Sequence, residues 1–180
     1  MRQMVWILWL AILLPLAGCL GMPDDVEPVE NFEAQRYLGR WYEIARLDHS
    51  FERGLESVSA TYRLRDDGGV KVINRGYDTE DDEWREAVGK AYFVEDASIA
   101  HLKVSFFGPF YGSYVVFDLD KQNYETAFVS GYNHSYLWLL ARSVSVSDAV
   151  KEDFVRQADA LGFATEDLVW VDQSRNADLK

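Results

Sequence analysis

Eight short runs rich in aromatic and β-branched residues follow one another at 41–47, 58–64, 70–77, 84–94, 100–106, 114–119, 124–130 and 136–142. Turn residues separate them. Asp66-Asp67-Gly68-Gly69 is the plainest hairpin signal, because glycines supply the positive φ that tight turns need. Strands at this regular spacing predict an antiparallel barrel or sandwich. Within 58–64 apolar and polar residues alternate, so one face is buried and the other wet. That pattern favours a closed antiparallel sheet over a parallel sheet covered on both faces.

One helix follows the strands. Ser147 can cap it, Asp148 suits its positive end, Gly162 can end it, and Val150, Phe154, Ala158 and Leu161 line one face. Residues 168–171 then read as a short ninth strand. The 180 residues are enough for one domain with a real core. The formal net charge of -12, with no basic cluster, repels phosphate backbones and anionic lipid surfaces alike. Nucleic acid is therefore excluded as a partner, and any membrane attachment must come from hydrophobic insertion or a covalent lipid.

The N-terminus offers that covalent route. Arg2 precedes an unbroken apolar run of 12 residues, 5–16, too short to span about 30 Å of hydrocarbon as a helix. It reads as the core of a signal peptide covering 1–18. Leu16-Ala17-Gly18-Cys19 resembles the lipobox of bacterial lipoproteins, in which the cysteine becomes the lipidated first residue of the mature chain. That resemblance implies a diacylglyceryl thioether and an N-acyl group, and two or more chains anchor stably where one binds only marginally. Cys19 is also the sole cysteine, so no disulfide is available and core packing must hold the fold. With Leu20 behind the cysteine, the sorting pattern of such lipoproteins implies the outer membrane, with the protein facing the periplasm. Residues 19–30 contain Pro23, Pro28 and several acids, and are expected to be an extended tether. The folded domain is expected to cover 31–180.

Three further motifs carry a family resemblance. Gly39-Arg40-Trp41 stands at the start of the first strand, Asp118-Leu119-Asp120 with Asn123-Tyr124 near the turn between the sixth and seventh, and Leu137-Trp138-Leu139-Leu140-Ala141-Arg142 at the end of the eighth. In order and spacing they are similar to the lipocalins, and the lipobox makes the chain resemble the bacterial lipocalins in particular. The resemblance implies an all-β fold: an eight-stranded antiparallel up-and-down β-barrel with one C-terminal α-helix and a short ninth strand.

Eight up-and-down strands put the start of the first and the end of the last at one end of the barrel. Trp41 and Arg142 are therefore expected to meet beside Gly39, and in the family this pair closes the barrel floor by a guanidinium over an indole face. The loops at 48–56, 78–83, 107–113 and 131–135 fall at the opposite, open end. One of them carries Phe107, Phe110 and Tyr111, aromatic where a solvated loop is polar. It reads either as a greasy rim for an entering lipid or as a packing surface for a neighbouring loop or the partner of a homodimer.

An eight-stranded barrel is filled by its own side chains or holds one small ligand. Trp138 shares strand parity with Arg142 and points inward. Val58, Tyr62, Asn74, Val104, Phe106 and Tyr114 are expected to line the cavity beside it, with Val116 among them and with Ala60, Gly89 and Ala91 leaving room. The ligand class this implies is a fatty acid, phospholipid or lysophospholipid, bound, stored or carried in the cell envelope. An enzyme is the weaker alternative: His49 and His134 fall on open-end loops with Asp48 nearby, but there is no nucleophile with its base, no free thiol and no metal-ligand spacing. No cofactor is implied. A purely structural envelope protein remains the third reading, and a self-filled barrel would support it.

Overall fold

The computed structural model describes residues 20–177. The signal peptide and Cys19 lie outside the described residues. A four-residue helix, α1 (Ala34–Tyr37), precedes the strands β1 (Gly39–Leu47), β2 (Leu55–Leu64), β3 (Val70–Asp78), β4 (Glu83–Phe93), β5 (His101–Ser105), β6 (Gly112–Leu119), β7 (Thr126–Ser130) and β8 (Leu137–Ala141). Helix α2 (Asp148–Ala160), strand β9 (Leu168–Trp170) and a last short helix α3 (Ser174–Ala177) complete the chain. Consecutive strands from β2 through β8 pair antiparallel, and β1 pairs with both β8 and β2, so the sheet closes on itself as an up-and-down barrel. The barrel, the helix and the ninth strand are those the sequence predicts.

Alternation along the strands divides the apolar residues between two cores. Trp41, Tyr62, Val72, Ala91, Val116 and Leu140 pack inside the barrel. Ile44, Phe128, Leu137, Leu139 and Ala141 point outward, where Phe154 and Ala158 of α2 cover them. This helix forms where the sequence places it: the Ser147 hydroxyl accepts from Val150 N at 3.4 Å, and Gly162 takes φ +81° just past its end.

The seam between β1 and β2 is short. Only Gly39–Tyr42 of β1 pairs with β2, because Ala45–Leu47 turns to β9 instead. The gap is filled from the far end of the chain. Gln173 Nε2 donates to Glu43 O at 2.7 Å and to Val58 O at 2.9 Å, and Asn176 Nδ2 donates to Ser57 O at 2.6 Å. These carbonyls would otherwise be buried without donors.

The segment before the barrel departs from its expected role as a free tether. Val26 is buried in the outer core, Val29 N donates to Val116 O at 2.8 Å, and Val29 O accepts from Ala100 N at 2.9 Å. Few apolar residues suffice here, because the segment adds to a ready-made barrel wall and builds no core of its own.

Candidate functional site

The barrel contains a cavity of about 750 Å³ that opens between the loops at 48–54, 79–82, 106–111 and 131–136. Val58, Tyr62, Asn74 and Val104 line it, with Phe106, Tyr114 and Trp138. Phe107, Phe110 and Tyr111 stand at its mouth. The first two are 83% and 71% exposed, and Phe51 on the β1–β2 loop is 58% exposed. Gly89 and Val116, both expected along the cavity, do not line it. Phe106 lies across Gly89, where a Cβ would come within 2.9 Å of its ring, and Val116 is fully packed in the inner core.

At the closed end Trp41 is fully buried. The Arg142 guanidinium sits 4.0 Å from the centre of its ring and donates to Arg36 O at 2.7 Å and Arg40 O at 2.8 Å. Gly39 has φ +97°, and a side chain there would press on Arg142 Nη1 at 3.2 Å. Tyr37 of α1 completes this floor. Its ring lies 4.6 Å from that of Trp41, and its carbonyl accepts from Trp41 Nε1 at 2.8 Å.

The cavity wall is more polar than the strand pattern suggests. A bulge between Glu43 and Ala45 shifts the phase of β1, so Glu43 and Arg46 both turn inward and pair at 2.6 Å. Arg46 also donates to Glu52 O and Leu55 O, at 3.0 and 3.2 Å. Glu52, from the β1–β2 loop, accepts from Trp138 Nε1 at 3.2 Å. Burial and the nearby Glu52 carboxylate push the Glu43 carboxyl well above the usual carboxylate range, against the pull of Arg46. Deeper in the barrel the hydroxyls of Tyr37 and Tyr62 meet that of Tyr114, at 2.7 and 3.0 Å. Burial raises all three phenols above their ordinary range and keeps them neutral.

A barrel of eight antiparallel strands, closed by an arginine on a tryptophan and open at the other end, invites comparison with known proteins. Residues 32–173 match the family model described as a lipocalin-like domain. The chain is a lipocalin. It is 59% identical over 158 residues to the outer membrane lipoprotein Blc of Vibrio cholerae, covering 88% of this chain and 92% of the relative. To the protein of the same name from Escherichia coli strain K12 it is 53% identical over 151 residues, covering 84% and 85%. Among solved structures, insecticyanin from the tobacco hornworm superposes with a TM-score of 0.67 at 20% identity, covering 84% of this chain and 86% of that one. At that identity the likeness speaks for the fold alone.

Within this lipocalin the two loop histidines are not a matched pair at the rim. His49 is only 6% exposed and stacks on Phe51 with ring centres 4.0 Å apart, and its Nε2 lies 3.1 Å from Glu52 Oε2. His134 instead sits 3.0 Å from Leu161 O, at the end of α2. Sequence reasoning missed Tyr37, Glu43, Arg46 and Glu52. One signal was present: Glu43 lies two residues after Trp41 on the same strand, in phase with an inward-facing residue.

Proposed function

We propose that this lipocalin takes up a single-chain lipid, a fatty acid or a lysophospholipid, and carries it in the bacterial cell envelope with the charged head at the mouth and the tail inside. The observation that carries this reading is the cavity of about 750 Å³ reached through an exposed aromatic rim. Membership of the family and the likeness to the outer membrane lipoproteins support a lipid-binding or transport role in the envelope. An intact phospholipid would have to place two chains through one mouth, which is why one chain is favoured. Leaving its charged head unpaired inside would cost several kcal/mol, which keeps that head near solvent. In this reading Val58, Tyr62, Asn74, Val104, Phe106, Tyr114 and Trp138 contact the chain, while Phe107, Phe110 and Tyr111 receive it.

Each CH2 taken from water contributes about 0.8 kcal/mol, so affinity is expected to climb with chain length and level off when the barrel is full. Trp138, on the cavity wall, should report occupancy in a fluorescence titration of saturated fatty acids. Phe110→Asp is expected to slow uptake from vesicles more than binding of a soluble monomer. Affinity independent of chain length would remove the cavity as the binding site, and an unaffected transfer rate in Phe110→Asp would remove the rim.

Anchoring is a separate part of the proposal. Lipidated Cys19 holds the protein to the outer membrane, facing the periplasm. Cys19→Ser should release it into the soluble fraction, because a net charge of -12 offers no electrostatic attachment. Sedimentation of the variant with membranes after a high-salt wash would show that another attachment dominates.

A further inference from the structure

We propose that Tyr37, Tyr62 and Tyr114 form a hydrogen-bonding subsite at the deep end of the cavity for a neutral oxygen group, such as a hydroxyl, carried at the far end of an acyl chain. The proposal rests on the lipid-carrying reading above and adds a preference among lipids. All three tyrosines line the cavity. Their depth follows from the strands: Tyr62 is paired with Gly39 at the very start of β1, and Tyr37 rises from α1 beneath it.

The argument is one of counting. Three phenols bring three hydrogens, and the two contacts at Tyr114 use two of them. If Tyr37 and Tyr62 both donate to Tyr114, the Tyr114 hydrogen is left over. If Tyr114 donates to one of them, that partner's hydrogen is left over instead. One O–H therefore remains to be given in every arrangement, and among the described residues no other hydrogen bond engages these hydroxyls. A donor left unpaired in an apolar cavity is costly, and an incoming oxygen removes the cost.

The charges nearby select a neutral group. Glu52 stands on the same cavity wall and acts on Tyr62, so a further carboxylate at the floor would be repelled. Arg142, the cation that acts on Tyr37 and Tyr62, is already engaged by Arg36 O and Arg40 O. A hydroxyl can accept the spare hydrogen and also donate to a phenol oxygen, so it completes the cluster at no charge.

The test compares palmitate with 16-hydroxypalmitate, titrated against the purified protein and against a variant carrying Tyr37→Phe, Tyr62→Phe and Tyr114→Phe together. Replacing all three hydroxyls leaves no orphaned partner, so the variant keeps the shape of the floor. A wholly apolar floor would bind the hydroxylated chain about ten- to a hundredfold more weakly than palmitate. The natural protein is expected to bind the two within about threefold of each other or to prefer the hydroxylated one, and the triple variant to move that ratio at least tenfold toward palmitate. Rejection of 16-hydroxypalmitate by the natural protein would overturn the proposal without any variant. So would the same ratio in both proteins, which would mark the cluster as packing only. If neither lipid binds, the lipid-carrying reading falls and takes the subsite with it.

Discussion

Trp41→Ala is expected to lower the unfolding free energy by about 3–5 kcal/mol. The indole is fully buried, packs on Tyr37, lies under Arg142, and donates to Tyr37 O. Alanine leaves a cavity at the closed end, a carbonyl without its donor, and a guanidinium with no face to cover. For a chain of this size the melting temperature should fall by about 6–20 °C. Arg142→Ala should give a smaller drop, because the carbonyls it releases belong to the exposed Arg36 and Arg40, where water can replace it. Both variants should keep a cavity with its mouth intact. An unchanged melting temperature in Trp41→Ala would show that the floor is not what holds this end of the barrel together.

The second large effect concerns the charges inside. Arg46→Met removes the cation that faces Glu43, and it strands the carbonyls of Glu52 and Leu55. Breaking one partner from a buried pair costs about 3–5 kcal/mol. The cost should depend on pH with a definite sign. The folded-state pKa of Glu43 is already raised above its ordinary value, so the folded protein holds that proton more tightly than the unfolded chain does. The stability this brings is full below the ordinary carboxylate range and is lost as pH rises through the folded-state value. Without Arg46 that folded-state value rises further. The gap in melting temperature between Arg46→Met and the natural protein should therefore be widest at alkaline pH and narrow toward pH 4.5. A gap that stays constant across this range would show that the loss is one of packing alone.

The strands could be read from the sequence because their signals are local. Alternation in β2, the Asp-Asp-Gly-Gly turn and the cap at Ser147 each act within a few residues, and the elements formed where those signals lie. Boundaries slipped where a side chain left the ladder. The sequence pattern puts Tyr124 at the start of the seventh strand, but it takes φ +59° in the preceding turn, and β7 begins at Thr126. Helices α1 and α3 have four residues each, too few for a helical period to show. The inward pair of Glu43 and Arg46 was illegible for a different reason. Three residues apart on a regular strand they would face opposite ways, and only the bulge against β8 brings them together. The docking of Val29 depends on Ala100 and Val116, about 70 to 90 positions later, which no local pattern announces.

The seam between β1 and β2 has a consequence for the order in which the molecule assembles. Gln173 reaches Glu43 across 130 positions and Val58 across 115, and these contacts close what the β1–β2 ladder leaves open. Contacts so far apart pay their loop-closure entropy before they return anything, so they belong to the late part of folding. Until they form, the upper halves of two strands expose unpaired amides and carbonyls, a template for another chain. The time the barrel spends in that half-zipped form, rather than the strength of its finished core, should set how readily it aggregates while folding.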